Sequence, residues 1–341
     1  MKVVVQIDAL EPLVARALVV AGASNANARI IARVVAAAER DGCHSHGVLR
    51  MPGFVTALRS GWLNGRATPS VRETAAGTIS VDAGNGFAQV ALEAGRGRLM
   101  EMARQNGIAA MAIHNGHHFA ALWPDVEPFA EAGFVAIGCV SSRRRIAPWG
   151  AKRKVFGTNP MAFACPRAGR PPFVWDQASS VMSQGEMLIA QREGRRLPQG
   201  VGIDAQGQPT TSPEAILGAG AFLPFGTHKG SAVAAMVEIL AAAVGGAEFG
   251  FEDRSAGNPG ATTSRSGQFL LLIDPSRFAG PQFAERLELL FAELADAGVD
   301  RLPGDRRLEA RRRAGRDGIE VEKADYDRLV DLAGASAGSK P

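Results

Sequence analysis

All six histidines fall in three places: His44 and His46; His114, His117 and His118; and His228. Histidine changes charge near neutral pH, so such clusters are where a chain handles protons or metal ions. The first cluster lies in Asp41-Gly42-Cys43-His44-Ser45-His46-Gly47-Val48-Leu49-Arg50. A serine beside a histidine can orient its imidazole, and an arginine four residues on can grip a carboxylate through two parallel hydrogen bonds. Taken alone, the phrase also reads as an ordinary loop. The second cluster, His114-Asn115-Gly116-His117-His118-Phe119, has a spacing open to zinc or iron when His44-x-His46 is added. It lacks an H-E-x-x-H phrase and any acidic ligand of its own, so no metal is expected.

Two further phrases offer anion-binding chemistry. Gly157-Thr158-Asn159-Pro160 reads as a tight turn that also presents a hydroxyl and backbone N–H groups. Pro224-Phe225-Gly226-Thr227-His228-Lys229-Gly230 opens a long helix, whose N-terminus attracts negative charge if it is more than a capped end. Arg301 to Arg316 holds seven arginines against Asp305 and Glu309, which fits either a solvated helix face or an anion contact.

Elements must hold these residues. Apolar spacing predicts a helix over residues 8–22, opened by an Asp8/Glu11 capping box and ended by Gly22, and a second from Ser24 to near Gly42. Residues 60–77, rich in Gly, Pro, Thr and Ser, read as a connection. Beyond it, helices are expected over about 86–105, near Pro124, and over about 184–193, 229–244 and 281–297. Strands are expected over 108–113, 134–141, 161–165, 173–175 and 268–273. This mixture indicates an α/β (α+β) chain with three regions: a helical domain over 1–75 carrying the His46 loop, a sheet domain over 76–300, and a segment over 301–341 that packs back on the first. The tail, residues 334–341, reads as frayed.

Composition narrows the class. A net charge of +4 on 341 residues, with both signs interspersed, argues against nucleic-acid binding. Three cysteines without metal spacing fit a reducing compartment. The N-terminus is too short for a signal sequence, and the longest apolar stretch, 232–247, is broken by Glu238. A soluble cytoplasmic protein acting on a small molecule is expected, with no membrane contact. The Rossmann phrase G-x-G-x-x-G is missing: neither Gly84-Asn85-Gly86 nor Gly218-Ala219-Gly220 has the third glycine in place.

The phrases in combination carry more than each alone. Ser45-His46-Gly47 with Arg50, His118-Phe119-Ala120-Ala121-Leu122-Trp123-Pro124, Phe156 to Pro160, Pro224 to Gly230 and Leu302-Pro303-Gly304-Asp305-Arg306-Arg307 resemble the malate/L-lactate dehydrogenase-like oxidoreductases. The likeness runs from about residue 8 to about 333. Within that family the second and last phrases point to the Δ1-piperideine-2-carboxylate/Δ1-pyrroline-2-carboxylate reductases. The resemblance implies a non-Rossmann, mainly antiparallel sheet with helices, working as a homodimer. It implies that His46 donates a proton in a relay with Ser45 and Glu186, and that Arg50 and Thr158 hold the substrate carboxylate. It places the cofactor, NADPH with NADH as the alternative, along His118, Phe119, Ala120, Ala121 and Leu122, along Asp176, Gln177 and Ala178, at His228, and along Pro303, Gly304, Asp305, Arg306, Arg307, Leu308 and Glu309.

His46 has an intrinsic pKa near 6.5, which suits an acid reloaded each turnover. Many relatives carry aspartate where Glu186 stands. Ser142-Arg143-Arg144-Arg145 is more basic than related enzymes look. If that loop faces the cavity, the substrate carries a second negative charge; if it faces water, the arginines carry no such meaning. A 2-oxo acid reductase uses the same residues. A metal-dependent hydrolase and a non-enzymatic anion-binding protein are the rivals from other classes.

Overall fold

The computed structural model describes residues 1–334, so the expected frayed tail lies, apart from Gly334, outside the described residues. Strand β1 (Lys2–Val5) leads into helices α1 (Ile7–Val20) and α2 (Asn25–Arg40). Two tight turns, His44–His46 and Val48–Arg50, join α2 to α3 (Met51–Arg59). Ser24 caps α2 by accepting from the Asn27 N–H. The capping box expected at Asp8 and Glu11 does not form: α1 starts one residue earlier, after Gln6, with no side-chain cap. Leu10, Val14, Ala17 and Leu18 of α1 pack with Ile31 and Val35 of α2. The same core takes in Ile319 and Val321 of strand β11 (Ile319–Glu322) and Leu329 of helix α11 (Lys323–Leu332). Strands β1 and β11 pair antiparallel, with Lys2 opposite Glu322.

The second body is a seven-stranded sheet ordered β2-β3-β4-β10-β5-β6-β7. Its strands are β2 (Ser70–Ala75), β3 (Thr78–Phe87), β4 (Ile108–His117), β5 (Val135–Val140), β6 (Met161–Arg167), β7 (Arg170–Gln177) and β10 (Arg265–Ile273). Only β3 and β4 run parallel, linked by the crossover helix α4 (Ala88–Asn106); the other neighbours are antiparallel. The sheet is therefore mainly antiparallel and is not a doubly wound nucleotide fold. Helices α4 and α5 (Trp123–Glu131) cover one face, burying Leu92, Leu99, Val126 and Phe129 against Val81, Met111 and Leu270. Strand β2 begins inside the stretch read as a connection. All six of its residues are exposed, as on a sheet edge, and so the polar-apolar alternation that marks a strand is absent.

A smaller unit packs around Ile146, Met187 and Phe222. It comprises α6 (Gln184–Arg192), β8 (Gly202–Ile203), α7 (Pro213–Leu217) and β9 (Ala221–Phe222). Helix α8 (His228–Glu238) continues into a wider turn over Ile239–Val244. Helices α9 (Gln282–Asp296) and α10 (Asp305–Asp317) complete the chain. The register brings the C-terminal ends of β4, β5 and β7 to one end of the sheet with the N-terminal ends of β6 and β10. The loops at that end meet the turns after α2.

Candidate active site

The turns between α2 and α3 are built on one buried carboxylate. Glu39, in the last turn of α2, accepts from the Val48 N–H at 2.7 Å and pairs with His44 Nδ1 at 2.5 Å. A side chain at Gly47 would overlap that carboxylate, so the loop closes only with glycine there. His44 thereby has a place the sequence left open: it ties the loop to α2. His46 points the other way, into a cavity, with Nδ1 3.0 Å from Ser45 Oγ.

Arg50 is held without a carboxylate. Its Nε donates to the Ser45 carbonyl at 2.7 Å, and the guanidinium lies over the Phe119 ring at 4.9 Å. Asp41, the acid nearest in sequence, is taken by Arg40 and by Arg311, at 2.7 and 2.6 Å. The guanidinium fork is therefore open to a ligand carboxylate. Burial, and then the Arg50 and His118 charges, push the His46 pKa down to about 3. The expectation of an ordinary value near 6.5 is corrected: in the ligand-free cleft His46 is a neutral imidazole at pH 7.

Thr158 sits in the turn before β6. Asn159 beside it takes a left-handed conformation, φ 39°, and is fully buried. Its side chain bonds to Ala234, to Glu238 and to the Ser142 N–H, which locks the turn to α8 and to the loop after β5. Thr158 Oγ1 lies 3.3 Å from Ser142 Oγ.

Two cavities share one wall. His46, Arg50, Ala120, Thr158, Pro160 and Gln184 line both. The first cavity adds His118, Phe119, Ser142, Arg143 and Arg145. The second adds Ala121, Leu122, Asp176, Gln177, Ala178 and Gly185. A side chain at Gly185 would strike Ser45, so the start of α6 lies directly on the His46 loop. The methyl and glycine lining of the second cavity fits a flat ring placed against His46 and Thr158.

Asp176 shapes that second cavity. Its carboxylate accepts from the Leu122 and Trp123 N–H groups at 3.2 and 3.1 Å and meets Arg307 at 3.3 Å. Burial raises its pKa despite Arg307. His118 is fixed through Nε2 to Asp125 at 2.8 Å, and Asp125 accepts from Gln268 at 2.7 Å.

The expected relay through Glu186 does not form in this structure, and the expected cofactor residues lie in different surroundings. Glu186 is exposed and closes a capping box with Ser183, accepting from its N–H and Oγ at 2.9 and 2.8 Å. It makes no hydrogen bond to Ser45 or His46, because a helix N-terminus offers a carboxylate closer donors. Arg307 is committed to Asp176 and to the Val174 carbonyl. Of the two arginines expected at a cofactor phosphate, Arg306 alone is exposed. His228 is exposed at the start of α8 and lines neither cavity, and Pro303, Gly304, Asp305, Leu308 and Glu309 line neither cavity.

His117 is buried between Asn85 and Thr263, at 3.0 and 2.8 Å, turned away from His118. Among the described residues no group of three or more His, Cys, Asp or Glu side chains is arranged to hold a metal ion. Ser142, Gln184, Thr262 and Ser264 line the first cavity without having been singled out in the sequence. Only the position of Ser142, beside the arginine run, offered a signal.

The malate/L-lactate dehydrogenase family model matches residues 5–330. The chain is 51% identical over 313 residues to a Δ1-pyrroline-2-carboxylate/Δ1-piperideine-2-carboxylate reductase of Pseudomonas putida, covering 92% of each. It is 38% identical to an NADP⁺ (2R)-3-sulfolactate dehydrogenase of Chromohalobacter salexigens, covering 94% of this chain and 95% of that one. Its backbone superposes on the crystal structure of Δ1-piperideine-2-carboxylate reductase from Pseudomonas syringae pv. tomato with a TM-score of 0.94, at 50% identity, covering 97% and 99% of the two chains.

Proposed function

The chain belongs to the malate/L-lactate dehydrogenase family of oxidoreductases, and from that premise we propose that it reduces a cyclic imine 2-carboxylate with NADPH. The substrate class is Δ1-piperideine-2-carboxylate or Δ1-pyrroline-2-carboxylate, giving L-pipecolate or L-proline, as the names of its relatives at half identity support. The observation that carries the reading is the wall shared by the two cavities, with an uncommitted guanidinium and a neutral imidazole on it.

Arg50 takes the substrate carboxylate bidentately and the Thr158 hydroxyl adds one hydrogen bond. This fixes C2 against the wall, facing the second cavity. Ala120 to Leu122 and Gln177 to Ala178 would hold a nicotinamide, which would supply the hydride for C2. The C=N electron pair moves to nitrogen, which must end the step protonated. An imine nitrogen is basic enough to take this proton from water, and neutral His46 then needs only to hold the N–H through a hydrogen bond. Pairing of Arg50 with the substrate carboxylate also removes a cationic neighbour from His46, which raises its proton affinity as the substrate binds. A ketone oxygen is far less basic and needs an imidazolium from the start.

Cytoplasmic location and a homodimer complete the reading. The exposed Ile239 and Val244 after α8 and Leu289 and Leu290 on α9 support self-association. For NADPH, the support is Arg306, exposed one residue into α10, and the NADP⁺ dependence in the name of the sulfolactate relative. Arg306→Gln is expected to raise the NADPH KM severalfold and leave the NADH KM nearly unchanged; equal efficiency with both cofactors in the parent sinks the preference. The central test is cofactor oxidation against the two cyclic imines and a panel of 2-oxo acids. Turnover of a 2-oxo acid at higher kcat/KM than either imine overturns the imine reading.

A further inference from the structure

Arg50 is not the only guanidinium on the first cavity. Arg143 and Arg145 line it as well, while Arg144 between them is exposed. Their backbone is pinned: Arg144 N–H donates to Gly250 at 3.2 Å, Arg145 N–H to Phe156 at 2.6 Å, and the Arg145 carbonyl accepts from Phe222 at 2.8 Å. The segment is thereby stretched between the strand pairings of its neighbours, and alternate side chains face the cavity. The two inward arginines differ. Arg143 is spoken for, with Nε 3.0 Å from Asp253 and Nη2 donating to the Ala261 carbonyl at 3.1 Å. The Arg145 guanidinium has no hydrogen bond or ion pair among the described residues.

Charge balance turns this into chemistry. Three guanidiniums line the cavity, and the carboxylate that meets them, Asp253, is shared between Arg143 and Ser255. A substrate with one carboxylate neutralises Arg50 and leaves Arg145 unpaired in a partly desolvated wall, which is an unfavourable place for an isolated charge. The strain is visible in Arg145 itself: burial and the nearby Arg143 and Arg50 charges lower its pKa to about 10.

We propose that the substrate of this chain carries a second anionic group, a carboxylate away from the one gripped by Arg50, and that Arg145 binds it with Arg143 behind. The inference rests on the cyclic-imine reading and revises its ring, putting a dicarboxylate in place of the monocarboxylate as the preferred substrate. Arg145 is then the residue that sets substrate choice, while Arg50 and His46 serve both kinds of ring equally.

Planar pyridine carboxylates mimic the imine ring without reacting, so they are the probes. Calorimetric titration of the full chain with NADP⁺ present compares pyridine-2-carboxylate with the 2,4-, 2,5- and 2,6-dicarboxylates at one ionic strength. At least one dicarboxylate is expected to bind at least about tenfold tighter than the monocarboxylate, the worth of roughly one charge-assisted contact. In Arg145→Gln both kinds weaken, the dicarboxylate by the larger factor, and the preference falls to about twofold or less. Arg145→Lys keeps the charge but not the fork, and is expected to retain part of the preference. If Arg145→Gln does not fold, an undiminished preference in Arg145→Lys overturns the assignment to Arg145. The proposal is also overturned if no dicarboxylate outbinds the monocarboxylate, or if Arg145→Gln weakens both equally, which is mere electrostatic attraction. Reduction of Δ1-piperideine-2-carboxylate without any dianion preference defeats this inference alone. A dianion preference in a protein that reduces no imine defeats the imine reading and upholds the second anion site.

Discussion

Replacing Arg50 by lysine separates a clamp from a brace. Its only polar tie among the described residues is one hydrogen bond to the Ser45 carbonyl, so the fold is expected to tolerate the change. The substrate KM is expected to rise by tens to hundreds of fold, the equivalent of about 1.5–3 kcal/mol for one charged hydrogen bond. Steady-state kinetics with a thermal melt decides: a lowered Tm with an unchanged KM removes Arg50 from the site. His46 offers a spectroscopic counterpart. Its imidazole is expected to stay neutral from pH 8 to pH 5 in the free protein, because its pKa is held near 3. Adding pyridine-2-carboxylate pairs Arg50 and is expected to shift that pKa upward. Nitrogen chemical shifts of labelled histidine read both states, and an imidazolium already present at pH 6 in the free protein defeats the account. His46, Arg50 and Thr158 stood out in the sequence only through their phrases taken together, and the structure brings the three to one cavity wall. Glu186 was expected in the relay on likeness alone, and here it caps its own helix. No sequence rule shows whether a carboxylate at a helix start will cap its own helix or reach across a cleft.

Helix α5 begins on Asp176, a residue from another strand. Two of its first N–H groups, at Leu122 and Trp123, are satisfied by that carboxylate and not by a cap of its own. Asp176→Ala is expected to cost about 1–2 kcal/mol of stability, as for lost N-caps. It also frees Arg307 and loosens the Ala120 to Leu122 wall, so weaker NADPH binding should accompany the loss. Denaturant unfolding and cofactor titration on one variant check both, and loss of stability with cofactor affinity intact would detach Asp176 from the second cavity. Long-range support of this kind is what the sequence hides. Strands β4 and β10 were readable as apolar runs, with one face buried and the other largely half-buried. Strand β3 was missed although Ile79, Val81 and Ala83 alternate inward, since Gly84-Asn85-Gly86 breaks the pattern and reads as a helix boundary. The cleft itself is made by register, which joins loop ends more than a hundred residues apart.

Two neutral histidines, His117 buried and His46 half-buried on the cavity wall, tie the stability of the whole molecule to pH. Burial, with Arg50 at His46 and Arg265 at His117, holds both pKa values near 3, well below the unfolded value of about 6.5. Between those values the unfolded chain binds a proton that the folded chain refuses. Their contribution is therefore whole above pH 6.5 and shrinks as pH falls, by about 1.4 kcal/mol per pH unit for each histidine. His117→Gln is expected to flatten the fall in unfolding free energy between pH 6 and pH 5 by that amount. Urea denaturation at the two pH values tests it, and a parallel slope in variant and parent would exclude His117 as a source. A different consequence follows from the pairing of β1 with β11. Strand β1 leaves the ribosome some 315 residues before its partner, and Ile319, Val321 and Leu329 complete the core that α1 and α2 begin. At about 5–20 residues per second, that gap lasts roughly 15–60 seconds. For that interval the apolar faces of the first two helices stand uncovered beside an emerging sheet, so the nascent chain, not the finished enzyme, is the form of this protein most in need of a chaperone.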